Sequence, residues 1–591
     1  MTFAPKHDNL VTMFRESVER FGSKPLFGIR SKEGGDWRWV TYAEFGKLVD
    51  DARGGLAALG VGPKDRVAVI SNNRLEWAVC CYATQGLGAT YVPMYENQLD
   101  KEWKYILDDC GAKVVLAGSA AAEKRLRALA KDLPSVKQVI GFDAEGDDGY
   151  KALLAKGAKN PAPVTKVSKD DAASVIYTSG TTGNPKGVVL THWNLATNIE
   201  GLRQVVPLEG NDRTLSFLPW AHVMGGYIEL GAIWGGGLST AICEDTTKLI
   251  DMLPEVKPTV LIAVPRIWNR IYDGVQKLMK TKPPVIQKMF ERAMTAGNKE
   301  RRGESPTLGE RFSRFMAKRL IYPKIIGRFG GNLKYAVSGS AALSKEVAEF
   351  VANLGITVFE GYGMTECSGV ATANTPEGVR IGSVGKAIPG MKIEIDKNAV
   401  GAEGETGEIV IIGEGVMAGY YGKPDETAAT IKDGALRTGD LGRVDKDGFL
   451  YITGRVKELY KLENGKYVAP APLEEKITLS PFISQALVHG ADKPFNVALL
   501  VPDFAALKGW AAEKGLSANL GDLLKDKQVR DLMSGELDRW SADWKGYERV
   551  RKFDLLDEEF STANDMLTPS LKLKRRNVLK KYADTINALY V

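Results

Sequence analysis

RVAVISNNRLEWAVCCYATQGLGATYVPM, residues 66–94, decides the fold class. Arg66–Ser71 is a β-branched run, Arg74–Gln85 carries a helical pattern, and Ala89–Met94 is again β-branched and aromatic. Strand, helix and strand in that order point to a parallel α/β sheet. The stretch also holds the longest uncharged run, Trp77–Tyr95. Thr84, Gln85, Gly86, Gly88, Thr90 and Pro93 interrupt it, so it reads as a buried helix, a glycine break and a strand rather than a membrane span.

Outward from this stretch the alternation continues through KVVLAG (113–118) and QVIGF (138–142). A polar stretch, Asp143–Asp171, separates them from SVIYTSG (174–180), where a second α/β series is expected to begin. TVLIAV (259–264), LKYAVSG (333–339) and TVFEGYG (357–363) are its later strands. After Gly382, short strands between glycine turns (GETGEIVIIG, GFLYITGR) suggest a small β-barrel. From Lys457 strands (QALVHG, VALLVP) mix with helices. The expected architecture is therefore a large N-terminal domain, 1–456, of two doubly wound α/β subdomains plus a small β-barrel. A smaller, mobile α+β C-terminal domain, 457–591, follows.

The chain has 591 residues, 44% hydrophobic and 26% charged, with a net charge of +6. That composition excludes global disorder, and the charge is too small for a nucleic-acid binder by itself. Cys80, Cys81, Cys110, Cys243 and Cys367 form no CxxC pair. With only His7, His192, His222 and His489 available, no zinc-type cluster can be assembled. A reducing cytoplasm fits this cysteine usage. Charges run through the apolar positions of residues 1–22, which read as an amphipathic helix rather than a signal peptide.

One region is electrically distinct. Residues 275–330, expected to be a helical insertion, contain 14 Lys/Arg against Glu291, Glu300, Glu304 and Glu310, a difference of +10. They also offer apolar positions at helical spacing: Val285, Ile286, Met289 and Phe290, then Phe312, Phe315, Met316 and Leu320. A solvated face and a basic surface facing anionic membrane lipid both account for the pattern.

The strongest chemical signal is Tyr177-Thr178-Ser179-Gly180-Thr181-Thr182-Gly183-Asn184-Pro185-Lys186-Gly187, between a strand and the strand-to-helix passage GVVLTHWNL. Glycines let backbone N–H groups approach oxyanions, hydroxyls add donors, and Lys186 supplies a mobile charge. No Gly-Lys-Ser/Thr follows at Walker A spacing. The chemistry is triphosphate or pyrophosphate binding.

With this loop the sequence resembles the AMP-forming adenylating superfamily of acyl-, aryl- and luciferase-type enzymes, and within it the long-chain fatty acid–CoA ligases. Further motifs appear in the family's order along essentially the whole chain. SFLPWAHVMGG (216–226) places His222 where the family shapes its carboxylate pocket. FEGYGMTECSG (359–369) carries Tyr362, Thr365 and Glu366, to which the resemblance assigns adenine stacking, an α-phosphate contact and Mg²⁺ binding. LRTGDLGRVDKDGFLYITGR (436–455) supplies Asp440 and Arg455 for the ribose. The same resemblance adds Thr178 through Gly183, Gly339, Ser340, Gly361 and Gly363 to the nucleotide site, and Thr181 to the metal site. DMLTPSLKLKRR (565–576) carries an essential lysine, Lys572 by register, with Lys574 a second candidate. Many relatives have glycine directly before that lysine, whereas this chain has Leu571. Some long-chain enzymes place a gating tryptophan where this chain has Gly226.

The resemblance implies a two-step ligase that uses ATP, Mg²⁺ and coenzyme A on a fatty acid. The cysteine usage places it in the cytoplasm, and the lipid-facing reading of residues 275–330 would put it in peripheral contact with the inner face of a membrane. Lys186, His222, Thr365, Glu366 and Lys572 are its expected catalytic residues. Lys457 is the expected hinge, and Gly465 lines the thiol tunnel, although a simple turn at Asn464-Gly465 explains that glycine equally well. An aryl- or terpenoid-acid CoA ligase, or an acyl-AMP ligase serving a carrier protein, would share most of these motifs. A non-catalytic nucleotide-binding scaffold would have lost a charged site residue, and none is lost.

Overall fold

The computed structural model describes the chain apart from residues 1, 2, 4, 31–34, 179–183, 340–342, 401, 402 and 518, and the side chain of Arg266. Two compact units divide it. The first comprises Met1–Ile393 with Ile411–Arg437, and the second Glu394–Val410 with Thr438–Val591.

The first unit is built on three sheets. The largest runs in the order Gly419–Tyr420, Lys186–Thr191, Ala172–Thr178, Thr90–Met94, Arg66–Ile70, Val114–Ala117, Gln138–Gly141. Its last five strands are parallel, and the two at the other edge are antiparallel. The parallel strands are buried on both faces and therefore read as continuous apolar runs. Here the structure corrects the sequence reading. Ala172–Thr178 does not open a second series; it pairs with Thr90–Met94 inside the first sheet, because helix Tyr150–Lys159 returns the chain across that sheet.

The second sheet sets Val260–Ala263, Tyr335–Ser338 and Thr357–Tyr362 in parallel, followed by antiparallel Thr372–Ala373 and Lys386–Ala387. A third sheet, not legible in the sequence, joins Arg38–Thr41, Pro25–Ile29, Ser239–Ile242 and Arg213–Ser216. The expected amphipathic N-terminal helix is Leu10–Phe21, capped by Asn9, whose side chain accepts from Thr12 N–H. Helix His192–Val205 follows directly from strand Lys186–Thr191 and opens with a Thr191/Asn194 cap.

In the second unit, Ile483–His489 pairs antiparallel with Asn496–Pro502, which pairs parallel with Val550–Leu555. Alternation splits the middle strand between two cores. Ala498 and Leu500 pack on one face with Leu507 and Met533; Val497, Leu499 and Val501 pack on the other with Phe560 and Val578. No helix among the described residues is long and apolar enough to cross a membrane.

Candidate active site

Thr178 and Lys186 are register partners at the open end of their antiparallel hairpin, so backbone pairing fixes both ends of the glycine-rich loop. Ser179, Gly180, Thr181, Thr182 and Gly183, with Ser340 of the second expected loop, lie outside the described residues. The Lys186 ammonium pairs with the Glu426 carboxylate and lies 5.0 Å from the centroid of the Tyr420 ring. Tyr420 sits on the edge strand opposite Val188 and donates its hydroxyl to Glu366 Oε1 at 3.0 Å. Burial, reinforced by the Glu366 carboxylate, pushes the Tyr420 phenol far up, so it remains a donor. Lys186 and Glu366, remote in sequence, thus meet on one tyrosine.

Tyr362 ends strand Thr357–Tyr362, and Thr365 and Glu366 lie in the single turn Thr365–Cys367; all three are buried. Gly363 cannot carry a side chain, since a Cβ there would lie 2.2 Å from Gly369 O. At Gly339 a Cβ would meet only Gly361 O at 3.7 Å, so packing does not demand that glycine. Asn198, on helix His192–Val205, holds the turn. Its amide donates to Cys367 O (3.1 Å) and Val370 O (2.6 Å) and accepts from Val370 N–H (3.3 Å). One turn earlier, Asn194 donates to Glu414 O (2.7 Å) and Val416 O (3.0 Å), just before Tyr420. The helix that leaves the phosphate-loop hairpin therefore positions both segments that bring Glu366 and Tyr420 together.

His222 ends the turn after strand Arg213–Ser216. Its Nδ1 accepts from Met224 N–H at 3.3 Å, which puts the proton of a neutral ring on Nε2. Asn73 braces that turn, accepting from Trp220 N–H (2.9 Å) and donating to Leu218 O (2.8 Å). A π-helical segment, Met224–Glu229, follows, a form concentrated at functional sites. It packs so tightly that a Cβ at Gly226 would lie 2.1 Å from Trp220 O and 3.0 Å from the Trp77 ring. A gating tryptophan has no room at residue 226, and Trp77 comes to that place from another helix. The Glu366 loop touches the same segment, because a Cβ on Gly369 would meet Ile228 at 2.7 Å.

In the second unit Asp440 and Arg455 are register partners on adjacent strands, with Arg455 Nε donating to Asp440 Oδ1 at 2.6 Å. Asp440 is buried, and its strand is bulged at Leu441–Gly442, immediately beside it. Lys457 lies in the one-turn helix Val456–Glu458 that follows Arg455. Gly465 closes the hairpin Tyr460–Lys461/Tyr467–Val468 at φ 82°, where a Cβ would meet only Lys461 Cε at 3.8 Å. Lys572 is exposed on a second hairpin; Lys574 is committed to Asp565 at 2.5 Å and caps helix Arg575–Lys581.

The AMP-binding enzyme family profile matches residues 14–421, and that of the AMP-binding enzyme C-terminal domain matches residues 458–591. The chain belongs to the AMP-binding enzyme family. A long-chain-fatty-acid–CoA ligase of Mycobacterium bovis is 35% identical over 99% of this chain and 97% of its own length. A peroxisomal long chain acyl-CoA synthetase of Arabidopsis thaliana is 30% identical over 99% and 86%. Among solved structures, the adenylation domain of a Mycobacterium chelonae carboxylate reductase shares the fold at TM-score 0.81 and 22% identity, covering 99% of this chain and 92% of that one.

For an AMP-binding enzyme, the donor set suits a magnesium ion brought in on its nucleotide. Among the described residues no group of three or more His, Cys, Asp or Glu could hold a metal alone. A single buried carboxylate, Glu366, beside a phosphate loop matches the way Mg²⁺ is shared between one protein oxygen and phosphate oxygens. Tyr420, Asn198, Asn194 and Asn73 escaped the sequence reading; the two asparagines of TxxNxxxN, 194 and 198, stand one helical turn apart, and that spacing was the available signal. Glu229 also escaped it. The carboxyl is fully buried with no hydrogen-bond partner of ordinary geometry, and burial, opposed only by Ser216, pushes it up to about 8. A separate cavity of about 250 Å³ near helix Leu10–Phe21, lined by His7, Glu16, Glu200 and Arg203, shares no residue with this cluster.

Proposed function

We propose that this AMP-binding enzyme is a long-chain fatty acid–CoA ligase. It activates a long-chain, or similarly hydrophobic, carboxylic acid with ATP and transfers the acyl group to coenzyme A. The observation that carries this reading is the convergence of Lys186 and Glu366 on Tyr420 beside the mouth of the glycine-rich loop. A cation and a carboxylate at that place suit a magnesium-bound triphosphate, and full-length likeness to ligases of that name supports the choice of acid and thiol.

In the first step a carboxylate oxygen attacks the α-phosphorus, and the bond to pyrophosphate breaks. Two anions must meet, so catalysis is positioning and charge neutralisation. Lys186 offsets phosphate charge from the first unit, and Lys572 belongs to the second. Magnesium carried on the nucleotide supplies further neutralisation, with Glu366 as its protein ligand. Tyr362 stacks on adenine, Thr365 donates to the α-phosphate, and Asp440 and Arg455 hold the ribose. His222 shapes the carboxylate end of the acyl pocket. In the second step the thiol sulfur attacks the acyl carbon, AMP leaves, and the thiol proton passes to solvent. Lysine at 457 serves as the pivot on which the second unit takes one arrangement for each step, Gly465 lies along the thiol path, and the water-insoluble acid is met at an anionic membrane surface.

Pyrophosphate release with hexadecanoate, octanoate and benzoate, each with and without coenzyme A, tests the proposal. Hexadecanoate should give the highest kcat/KM, and multiple turnovers should require coenzyme A. Preference for benzoate, or turnover without thioester, would overturn it.

A further inference from the structure

Helix Leu308–Leu320 is amphipathic in the wrong sense for a globular surface. Its buried positions are small, Ser313 and Ala317, and it packs on helix Pro284–Arg301, whose buried residues include Ala293, Ala296 and Gly297. The large apolar side chains point the other way: Leu308 is 85% exposed, Phe312 65% and Phe315 52%. With Arg311, Lys318 and Arg319, also exposed, they occupy positions i, i+3, i+4, i+7, i+10 and i+11, a single stripe. The structure thereby corrects the expected apolar face, because Met316 is half-buried and exposed Leu320 lies off the stripe.

The cations on this helix, with Lys299 facing it, divide in two. Lys299 pairs with Glu310 at 2.9 Å and Arg314 with Glu300 at 2.5 Å, so these serve the packing of the two helices. Arg311, Lys318 and Arg319 have no carboxylate partner among the described residues. The Arg319 guanidinium instead lies 4.5 Å from the centroid of the Phe315 ring. Exposed aromatics between unpaired cations mark an interaction surface.

We infer that the stripe Leu308, Arg311, Phe312, Phe315, Lys318 and Arg319 docks this protein on the surface of an anionic lipid bilayer. A nucleic acid would use the three cations and leave Leu308, Phe312 and Phe315 in water. The headgroup region of a bilayer takes both, with rings at the acyl boundary and cations at the phosphates. The surface goes beyond the ligase reading by naming where on the molecule a lipid-borne acid would be met, and its test does not depend on turnover.

The full chain is sedimented with phosphatidylcholine vesicles and with vesicles that also contain phosphatidylglycerol. Binding should require phosphatidylglycerol and be released by raised salt. Arg311→Glu with Lys318→Glu and Arg319→Glu should lower the partition coefficient on the order of 100-fold. Phe312→Ser with Phe315→Ser should lower it on the order of 10-fold at every salt concentration. All five sites are exposed, so unchanged melting temperatures establish that the variants fold. Equal binding to both vesicle types, or unchanged binding by either variant, overturns the inference. So does loss of duplex DNA binding in the charge variant while its vesicle binding persists.

Discussion

Tyr420 donates to Glu366 Oε1 at 3.0 Å while its ring lies 5.0 Å from the Lys186 ammonium. One side chain therefore aims a carboxylate and steadies a cation. Tyr420→Phe keeps the ring and removes the donor. A hydrogen bond to a charged group is worth about 1.5–3 kcal/mol, so the first half-reaction should slow by roughly 10- to 100-fold. Half-saturating Mg²⁺ should rise with it, measured by pyrophosphate release across a magnesium titration. An unchanged magnesium dependence would detach Tyr420 from the proposed magnesium site.

Asn198 makes three hydrogen bonds to the loop that carries Glu366, from a fully buried position. Asn198→Ala leaves Cys367 O, Val370 O and Val370 N–H without those partners and should cost about 3 kcal/mol in urea unfolding. Adenylation should fall more steeply than that loss of folded population explains. Wild-type activity in a destabilised Asn198→Ala protein would limit the residue to folding.

Glu229 gives a pH signature. Its folded pKa of about 8 lies above the ordinary 4.5, so the folded state holds a proton that the unfolded state has released. The resulting stability is complete below pH 4.5 and is lost as pH rises to about 8. Buried Glu360, at about 7, adds the same trend. Glu229→Gln isolates one contribution: its stability relative to wild type should grow by roughly 3–5 kcal/mol between pH 5 and pH 9. Parallel stability curves would mean that the Glu229 carboxyl ionises normally.

The strands were legible because burial on both faces writes them as short β-branched runs, as at Arg66–Ile70 and Val114–Ala117. Their grouping into sheets was not. Ala172–Thr178 and the Pro25–Ile29/Ser239–Ile242 pair are joined by contacts remote in sequence, which local pattern cannot carry. The site's charged residues stood out because motifs concentrate them. Their supports did not: Asn198 looks like a surface polar residue until its burial is known, and Tyr420 matters only through an edge strand set by Lys186–Thr191. Between Lys572 and Lys574 the sequence left the choice open, and the ion pair to Asp565 is what ties Lys574 to its own unit.

Gly465 and Leu571 occupy the same place in two hairpin loops of one construction. Gly465 N–H donates to Leu462 O, and Leu571 N–H to Thr568 O; Leu462 N–H reaches Lys466 O, and Thr568 N–H reaches Lys572 O. In both loops the third residue is left-handed, φ 82° for the glycine and 62° for the leucine. That geometry explains why glycine suits the position before Lys572. Gly465→Leu should cost about 1–2 kcal/mol, and Leu571→Gly should be neutral or stabilise by up to about 1 kcal/mol. Urea unfolding of both variants checks this; destabilisation by Leu571→Gly would show that the exposed side chain contributes more than its backbone strain removes.

The central claim, two half-reactions with charge drawn from both units, is tested most directly by separating them in Lys572→Ala. Acid and Mg·ATP are supplied to measure pyrophosphate release, and synthetic acyl-adenylate with coenzyme A to measure thioester formation. Only the first step brings phosphate charge to the lysine. Lys572→Ala should therefore lose adenylation by at least about 100-fold and keep thioester formation within a few-fold, with Lys574→Ala sparing both steps. Equal loss of both half-reactions in Lys572→Ala, or the selective defect appearing in Lys574→Ala instead, would contradict the account.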